Sequence, residues 1–368
     1  MSAEDFRKQR VGIMTWHYGL NVGSFLQALA LQTIIRRSGF PVLIIDYQAR
    51  MKYSFWKGIL RICLKQFYCL LPKSVQIRYG MHYYRLRKKY MAIKQFYDFN
   101  KLESMNKCFD IFVCGSDQVW APSCLDDAYL LTFTAPEKKR IAYAPSLGLL
   151  SIPEHQKPLY RKALATFDAL SIRERKGAEI LKQDFGLNVP VVLDPTLLFT
   201  ADEWLKMMKL PEKRNENVIF CYLLGKNLWH AEYVRKIADR EGKKLVISSP
   251  HTIFSGYADE FCAYMTPDLF LGLIRDAEKV FTDSFHGMAF SVNFKKDFYF
   301  FYRFADDDPI NQNSRVDNLA GMLGLYGRLI PSAETPLPQQ TLDMEQIHSA
   351  LSAERKQSIA YLEGALRS

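Results

Sequence analysis

The sequence predicts an α/β fold built from parallel sheets in two Rossmann-like domains that face a cleft. Short apolar segments of strand length alternate with longer amphipathic segments, a pattern typical of βαβ units. A polar break at residues 213–217 separates one such series from a second. The chain has 368 residues, which is long enough for two hydrophobic cores.

The first series of elements extends from residue 10 to residue 193. Its strands are short apolar runs, and its helices have apolar residues at helical spacing. Strands are predicted at 10–16, 41–46, 111–114, 140–143, 169–172 and 190–193, and helices at 24–38, 155–167 and 175–183. We therefore assign residues 1–205 to an N-terminal domain with an insertion at 50–107.

The second series follows the polar break and predicts a C-terminal domain at residues 206–330. Its predicted strands are 218–223, 244–248, 278–281 and 297–301, and its predicted helices are 229–241 and 287–293. A proline-rich linker at 331–338 precedes a last helix at 342–366. Residues 331–368 are therefore interpreted as a linker and a C-terminal helix.

The insertion at 50–107 carries most of the positive charge. It has fourteen Lys and Arg residues against two acidic residues, whereas the whole chain has a net charge of +10. Residues 56–71 have an apolar helical face opposite a basic face. Two interpretations stay open, namely contact with an anionic membrane surface and packing of the insertion on the core. No nucleic-acid-binding motif accompanies the charge, so nucleic acid is not an expected partner.

The cysteines and the apolar runs indicate a cytoplasmic protein. Seven cysteines are scattered without a CxxC pair, which favours reduced thiols and argues against a metal site. No apolar run reaches the ~18 residues of a membrane-spanning helix. The first residues lack the apolar stretch of a signal peptide. We therefore expect a cytoplasmic location, which would be at the inner face of the plasma membrane under the first of the two interpretations of the insertion.

Two turns between a strand and a helix contain the candidate functional residues. Asp283, Ser284 and His286 stand between the strand at 278–281 and the following helix. The glycine-rich turn at 17–24 precedes the first helix and contains Asn21, Gly23 and Ser24, which we expect to contact substrate. Helix N-termini at the carboxyl edge of a parallel sheet offer free N–H groups to anions, so both turns are candidate ligand sites.

The order of several motifs resembles the polysaccharide pyruvyl transferase family. The matching segments are 21–28 (NVGSFLQA), 112–120 (FVCGSDQVW), 143–148 (YAPSLG), 171–174 (SIRE), 193–198 (LDPTLL), 282–287 (TDSFHG) and 313–315 (NSR). The resemblance implies a GT-B-like fold. It also implies transfer of a pyruvyl group from phosphoenolpyruvate to two hydroxyls of a sugar, with formation of a ketal and without a metal or other cofactor. The acceptor would be a cell-surface polysaccharide, as in exopolysaccharide biosynthesis, or its lipid-linked precursor.

The resemblance also suggests roles for individual residues. His286 matches the motif histidine and would be the general acid or the phosphate contact. Asp283 would orient His286 or accept a sugar proton, and Asp117 would bind sugar hydroxyls. The other expected substrate contacts are Ser116, Arg173, Ser284, Arg303 and Arg315.

This chain departs from the family pattern at one position. Ketal-forming members have an arginine two residues before the motif histidine, where this chain has Ser284. A serine lacks the charge and the forked geometry of a guanidinium, so Arg173, Arg303 or Arg315 would have to hold the donor. Two alternatives therefore stay open. One is a GT-B-type glycosyltransferase that uses a nucleotide sugar, and the other is a non-catalytic binding protein at a membrane surface.

Overall fold

The two predicted series form two parallel sheets. The computed structural model describes residues 9–47, 75–94, 102–308, 311–339 and 341–368. The first sheet has the order β3-β2-β1-β4-β5-β6, with β1 Val11–Met14, β2 Val42–Ile45, β3 Ile93–Lys94, β4 Ile111–Cys114, β5 Lys139–Ala142 and β6 Ala169–Leu170. The second has the order β11-β10-β7-β8-β9, with β7 Val218–Tyr222, β8 Lys244–Ser248, β9 Glu260–Cys262, β10 Lys279–Thr282 and β11 Asp297–Phe300.

Helices connect the strands and cover the sheets. In chain order they are α1 Val22–Arg37, α2 Val75–Tyr90, α3 Lys157–Leu164, α4 Arg175–Phe185, α5 Ala201–Met207, α6 Leu228–Glu241, α7 Pro267–Asp276, α8 Phe285–Asn293, α9 Ser314–Leu323 and α10 Met344–Arg367. Central strands such as β1, β4 and β7 are buried along their whole length, as expected for parallel strands covered on both faces. None of the helices in the described ranges is both long and apolar enough to cross a bilayer.

Residues 190–193 do not form the predicted strand. They make one bridge, between Val191 and Ile172, in which the Val192 N–H donates to the Ile172 carbonyl. Pro190 has no N–H to donate, and the N–H of Leu193 donates to Ser358 Oγ of α10 at 3.0 Å. Residues 190–193 thus make a single strand-like contact before the chain reaches residue 194.

The basic insertion is described only in part. The predicted amphipathic helix at 56–71 lies outside the described residues. Helix α2 follows it and contacts both halves of the molecule, namely the first half, which contains the first sheet, and the second half, which contains the second sheet. Tyr83 packs edge-on against Phe25 of α1, and His82 Nε2 lies 2.8 Å from an oxygen of Asp268 in α7. The described part of the insertion therefore packs on the fold with one face.

Helix α10 returns from the second half of the chain to the first. Arg355 Nε donates to the Leu197 carbonyl at 2.6 Å, and Arg355 Nη2 donates to Asn293 Oδ1 at 2.9 Å. Tyr361 donates to the carbonyl of Ala142 at the end of β5. The C-terminal helix therefore holds the two halves together behind the carboxyl edges of both sheets.

Candidate active site

The two candidate turns meet where the carboxyl edges of the sheets face each other. In the first half, β1 leads into the turn before α1; in the second, β10 leads through residues 283 and 284 into α8. A Cβ atom placed on Gly23 would lie 2.1 Å from Nδ1 of His286. The N-terminus of α1 and the His286 ring are therefore in direct contact across the cleft, which the sequence motifs alone did not reveal.

Gly23 is expected to be irreplaceable because no side-chain atom fits between α1 and His286. We expect Gly23→Ala to destabilise the protein by about 1–3 kcal/mol, the usual cost of an overpacked interior. Thermal unfolding measures this cost. Gly80→Ala in α2 is the matched control, since no atom lies within 4 Å of the added Cβ. Equal melting temperatures for the two variants would contradict this contact.

Asp194 connects three residues in the first half of the site, namely Ser116, Arg173 and Thr196. Its carboxylate is fully buried and accepts hydrogen bonds from Ser116 Oγ at 2.8 Å and Arg173 Nη1 at 2.7 Å. Its other oxygen accepts from the N–H and the hydroxyl of Thr196 at 2.9 and 2.7 Å. Burial raises the pKa of Asp194, but Arg173, His286 and Thr196 outweigh burial and hold it at about 2. Asp194 is thus a carboxylate at every physiological pH.

His286 is the second residue of α8 and is buried against the first half. Its Nε2 has no hydrogen-bond partner and lies 4.0 Å from Asp194 Oδ1. Burial lowers the pKa of His286, and the charges of Arg173 and Arg315 lower it further, whereas the carboxylates of Asp194 and Asp117 act in the opposite direction. Because the lowering effects dominate, the unliganded site favours a neutral imidazole at pH 7, and an anion beside it would favour the imidazolium.

Arg173 has two roles in this geometry. One nitrogen binds Asp194, while Nε and Nη2 are buried without a hydrogen-bond partner, with Glu174 3.9 Å from Nε. The guanidinium also lies over the ring of Phe285, 4.8 Å from its centroid. Buried N–H donors without acceptors are rare, so these two nitrogens indicate a place for an acceptor that a ligand supplies.

Arg315 and Arg303 add positive charge from the second half. The hydrogen bonds of Arg315 within the described ranges go to Gln312, to its carbonyl and to its amide oxygen, so no carboxylate pairs with this guanidinium there. Burial and the charges of Arg173 and Arg303 lower the pKa of Arg315 to about 9. Arg303 donates to the Asp283 carbonyl at 3.0 Å, and its Nε is buried without a hydrogen-bond partner.

The other predicted residues of the first half bond mainly to one another. The side chain of Asn21 accepts from the Ser24 N–H at 3.1 Å and caps α1. Ser24 Oγ donates to Asp117 at 2.5 Å. Asp117 has φ +76°, a left-handed conformation that turns its side chain off the end of β4. These residues form the wall of the cleft that faces α8.

The remaining predicted residues of the second half are structural in their observed contacts. The two carboxylate oxygens of Asp283 accept from the N–H groups of Leu224 and Gly225 at 2.8 and 2.7 Å. This clamp joins the ends of β7 and β10. Within the described residues the Asp283 carboxylate makes no hydrogen bond to His286, so the expected orienting contact is not observed. Ser284 is the N-cap of α8, but its hydroxyl makes no capping bond.

Sequence reasoning missed Asp194 and Glu174 as functional candidates. Both lie in segments that had been noted as motifs, directly before Pro195 and directly after Arg173. Glu174 is buried and accepts from Ser146 Oγ and from the N–H groups of Leu147 and Gly148. For Asp194 the available signal was an acidic residue at the end of an apolar run, and for Glu174 it was an acidic residue beside a candidate arginine.

Comparison with known proteins identifies a family and a fold. The sequence profile of the family described as polysaccharide pyruvyl transferase matches residues 21–303. The UDP-GlcNAc 2-epimerase from Neisseria meningitidis bound to UDP-GlcNAc is 11% identical with a TM-score of 0.51, over 97% of this chain and 93% of that chain. The UDP-GlcNAc 2-epimerase from Methanocaldococcus jannaschii is 11% identical with a TM-score of 0.51, over 93% and 92%.

At these identities the structural likeness shows the fold alone. The predicted α/β fold with two parallel sheets in a GT-B-like arrangement is confirmed. No curated protein sequence matches the chain.

Proposed function

Because this chain belongs to the polysaccharide pyruvyl transferase family, we propose that it transfers a pyruvyl group from phosphoenolpyruvate to two hydroxyls of a sugar. The acceptor is a cell-surface polysaccharide or its lipid-linked precursor, and the product is a pyruvate ketal. The observation that carries this proposal is the convergence of Arg173, His286 and Arg315 in one cleft. Each has at least one group that no carboxylate of the described residues satisfies.

The donor explains why three basic groups are needed. Phosphoenolpyruvate brings about three negative charges in a phosphate and a carboxylate, and an apolar site could not hold them. Arg173 comes from the first half, and His286 and Arg315 come from the second. A donor bound between them would therefore join the two halves. Arg303, which lies near enough to lower the pKa of Arg315, supplies a further guanidinium in place of the one absent at Ser284.

The chemistry assigns each group a step. His286 as the imidazolium protonates the methylene carbon of the donor, which becomes the methyl group, and a sugar hydroxyl attacks the adjacent carbon. The second hydroxyl then forms the second C–O bond as phosphate departs. Of the two hydroxyl protons, one restores the imidazolium and the other leaves with phosphate. The arginines stabilise the phosphate as its charge increases. Asp117, with Ser24, faces this point from the first half and would bind the sugar hydroxyls.

Thermal-shift and product assays test the donor. Phosphoenolpyruvate at a hundred times its Kd should stabilise the protein by about 2.7 kcal/mol, and nucleotide sugars should not. Phosphate release should then require a glycan acceptor from a panel containing galactose, mannose or N-acetylhexosamine. If that panel gives no phosphate and a nucleotide sugar is both bound and consumed, the donor is a nucleotide sugar. This second candidate function, a glycosyltransferase, is tested because Ser284 stands where ketal-forming members of the family have an arginine.

We also propose that the reaction takes place at the inner face of the plasma membrane, through the basic insertion. One face of α2 exposes Arg78, Arg85, Lys88 and Lys89 together with Met81 and Tyr84, and α2 contains no acidic residue. Tyr84 is 62% exposed and Met81 is 42% exposed. Cations beside exposed apolar side chains suit a surface of anionic lipids, where each basic residue contributes about 1 kcal/mol.

Charge reversal on α2 tests the membrane contact. Arg85→Glu with Lys88→Glu should weaken binding to anionic vesicles at least roughly tenfold, since two attractions of about 1 kcal/mol each are lost. Lys236→Glu with Arg240→Glu is the matched control, because these cations are exposed on α6 at similar spacing. Co-sedimentation measures both, and binding of the wild type should fall as salt is added. Equal binding of the wild type to neutral and anionic vesicles would contradict the membrane contact.

A further inference from the structure

Asp194 occupies a position that the proposed reaction does not by itself require. It belongs to the first half, whereas His286 belongs to the second, and its Oδ1 lies 4.0 Å from the buried His286 Nε2. Its other oxygen holds Arg173 at 2.7 Å. One carboxylate thus contacts or faces two of the three basic groups of the pocket. A carboxylate beside an anion site weakens anion binding by repulsion. Its presence in this pocket therefore calls for a separate role.

We propose that Asp194 is the positioning residue of the site, whose carboxylate fixes the orientation of Arg173 and favours the imidazolium form of His286 across the cleft. The inference rests on the proposed function only in that an imidazolium is the form that could protonate the donor. Asp194 does not contact the reacting atoms in this scheme and acts through His286 and Arg173.

The charges around His286 give such a partner a clear effect. Burial disfavours the imidazolium, and so do Arg173 and Arg315, which face it from the first and second halves. The carboxylates that oppose these effects are those of Asp194 and Asp117, and Asp194 acts more strongly. Without Asp194 the pKa of His286 would be lower still, and less of the imidazolium would be present to donate a proton.

The other hydrogen bonds of Asp194 suit this role. Ser116 and Thr196 supply three hydrogen bonds from neutral donors, and Arg173 supplies the charged one. These bonds fix the carboxylate and keep it deprotonated. Glu174 is the natural comparison, because it is also buried and lies near Arg173, at 3.9 Å, but its hydrogen bonds go to the loop at 146–148.

The test is the titration of His286 by NMR in the full-length chain, without donor or acceptor. His286→Gln assigns the ring signals. We expect Asp194→Asn to lower the pKa of His286 by about one unit or more, the usual effect of an opposite charge at 4–6 Å. Glu174→Gln, the matched control, removes a buried carboxylate near Arg173 and should leave the His286 titration close to that of the wild type. An Asp194→Asn titration equal to that of the wild type would overturn the proposal.

A second variant keeps the proposal testable if Asp194→Asn does not fold. Thr196→Val removes the hydroxyl that donates to Oδ1, the oxygen that faces His286, so this oxygen becomes freer to stabilise the imidazolium. The pKa of His286 should then rise, and a fall or no change would overturn the proposal. Both titrations are independent of substrate. If they behave as expected while phosphoenolpyruvate neither binds nor reacts, the proposed donor is wrong and the role of Asp194 stands.

Discussion

Replacing His286 by alanine is expected to lower the turnover number by roughly 10²–10⁴-fold, the usual contribution of a general acid. The donor should still bind, because Arg173 and Arg315 remain. Phosphate release from phosphoenolpyruvate with a glycan acceptor measures the loss. His155→Ala is the control, since His155 is exposed. Full activity of His286→Ala would remove the imidazole from the mechanism.

The same imidazole predicts the dependence of the reaction on pH. In the free enzyme the pKa of His286 is lowered from its usual value, chiefly by burial, so kcat/KM should fall as pH rises on the acidic side of neutrality and should already be low at pH 7. The bound donor brings negative charge, which raises that pKa, so the corresponding fall in kcat should occur at a higher pH. Identical profiles for kcat and kcat/KM would argue against contact between the donor and His286.

Replacing Arg315 by alanine is expected to weaken donor binding more than turnover. A hydrogen bond to a charged group contributes about 1.5–3 kcal/mol, so the Kd for phosphoenolpyruvate should rise roughly 10- to 150-fold. Calorimetric titration measures the change. Arg175→Ala is the matched control, because this arginine is exposed at the start of α4, two residues after Arg173. A Kd unchanged by Arg315→Ala would place the donor elsewhere in the cleft.

The fold was largely predictable because its signals are local. Strands such as β4 and β8 have the bounds that were predicted, since short apolar runs bounded by turns define buried parallel strands. The prediction of a strand at 190–193 was wrong, and the reason does not lie in the local sequence pattern. Whether that apolar run joins a sheet depends on where the Leu193 N–H goes, and its acceptor, Ser358, lies 165 residues away in the sequence.

The sequence predicted which residues belong to the site better than it predicted the contacts between them. The motifs identified His286, Arg173 and Arg315, which converge in the cleft. They could not show that Asp283 clamps two backbone N–H groups, because its partners lie on a loop 58 residues away. They also could not single out Asp194, whose importance comes from Arg173 and His286 meeting it from different segments. Sequence pattern assigns residue types to turns, and contacts between turns follow only from the packed structure.

Helix α10 makes the site dependent on a part of the chain that is far from it in sequence. Ser358 holds the N–H of Leu193, the residue before Asp194, and Arg355 binds the carbonyl of Leu197 on the far side of the same segment. The buried side chains of α10 include Ile347, Leu351, Leu362 and Leu366, each of which contributes roughly 1.5–3 kcal/mol on burial. The segment at 193–197, which includes Asp194, therefore depends on α10 for its support. A substitution in α10 should disturb the pocket from a distance, although it changes no residue of the site.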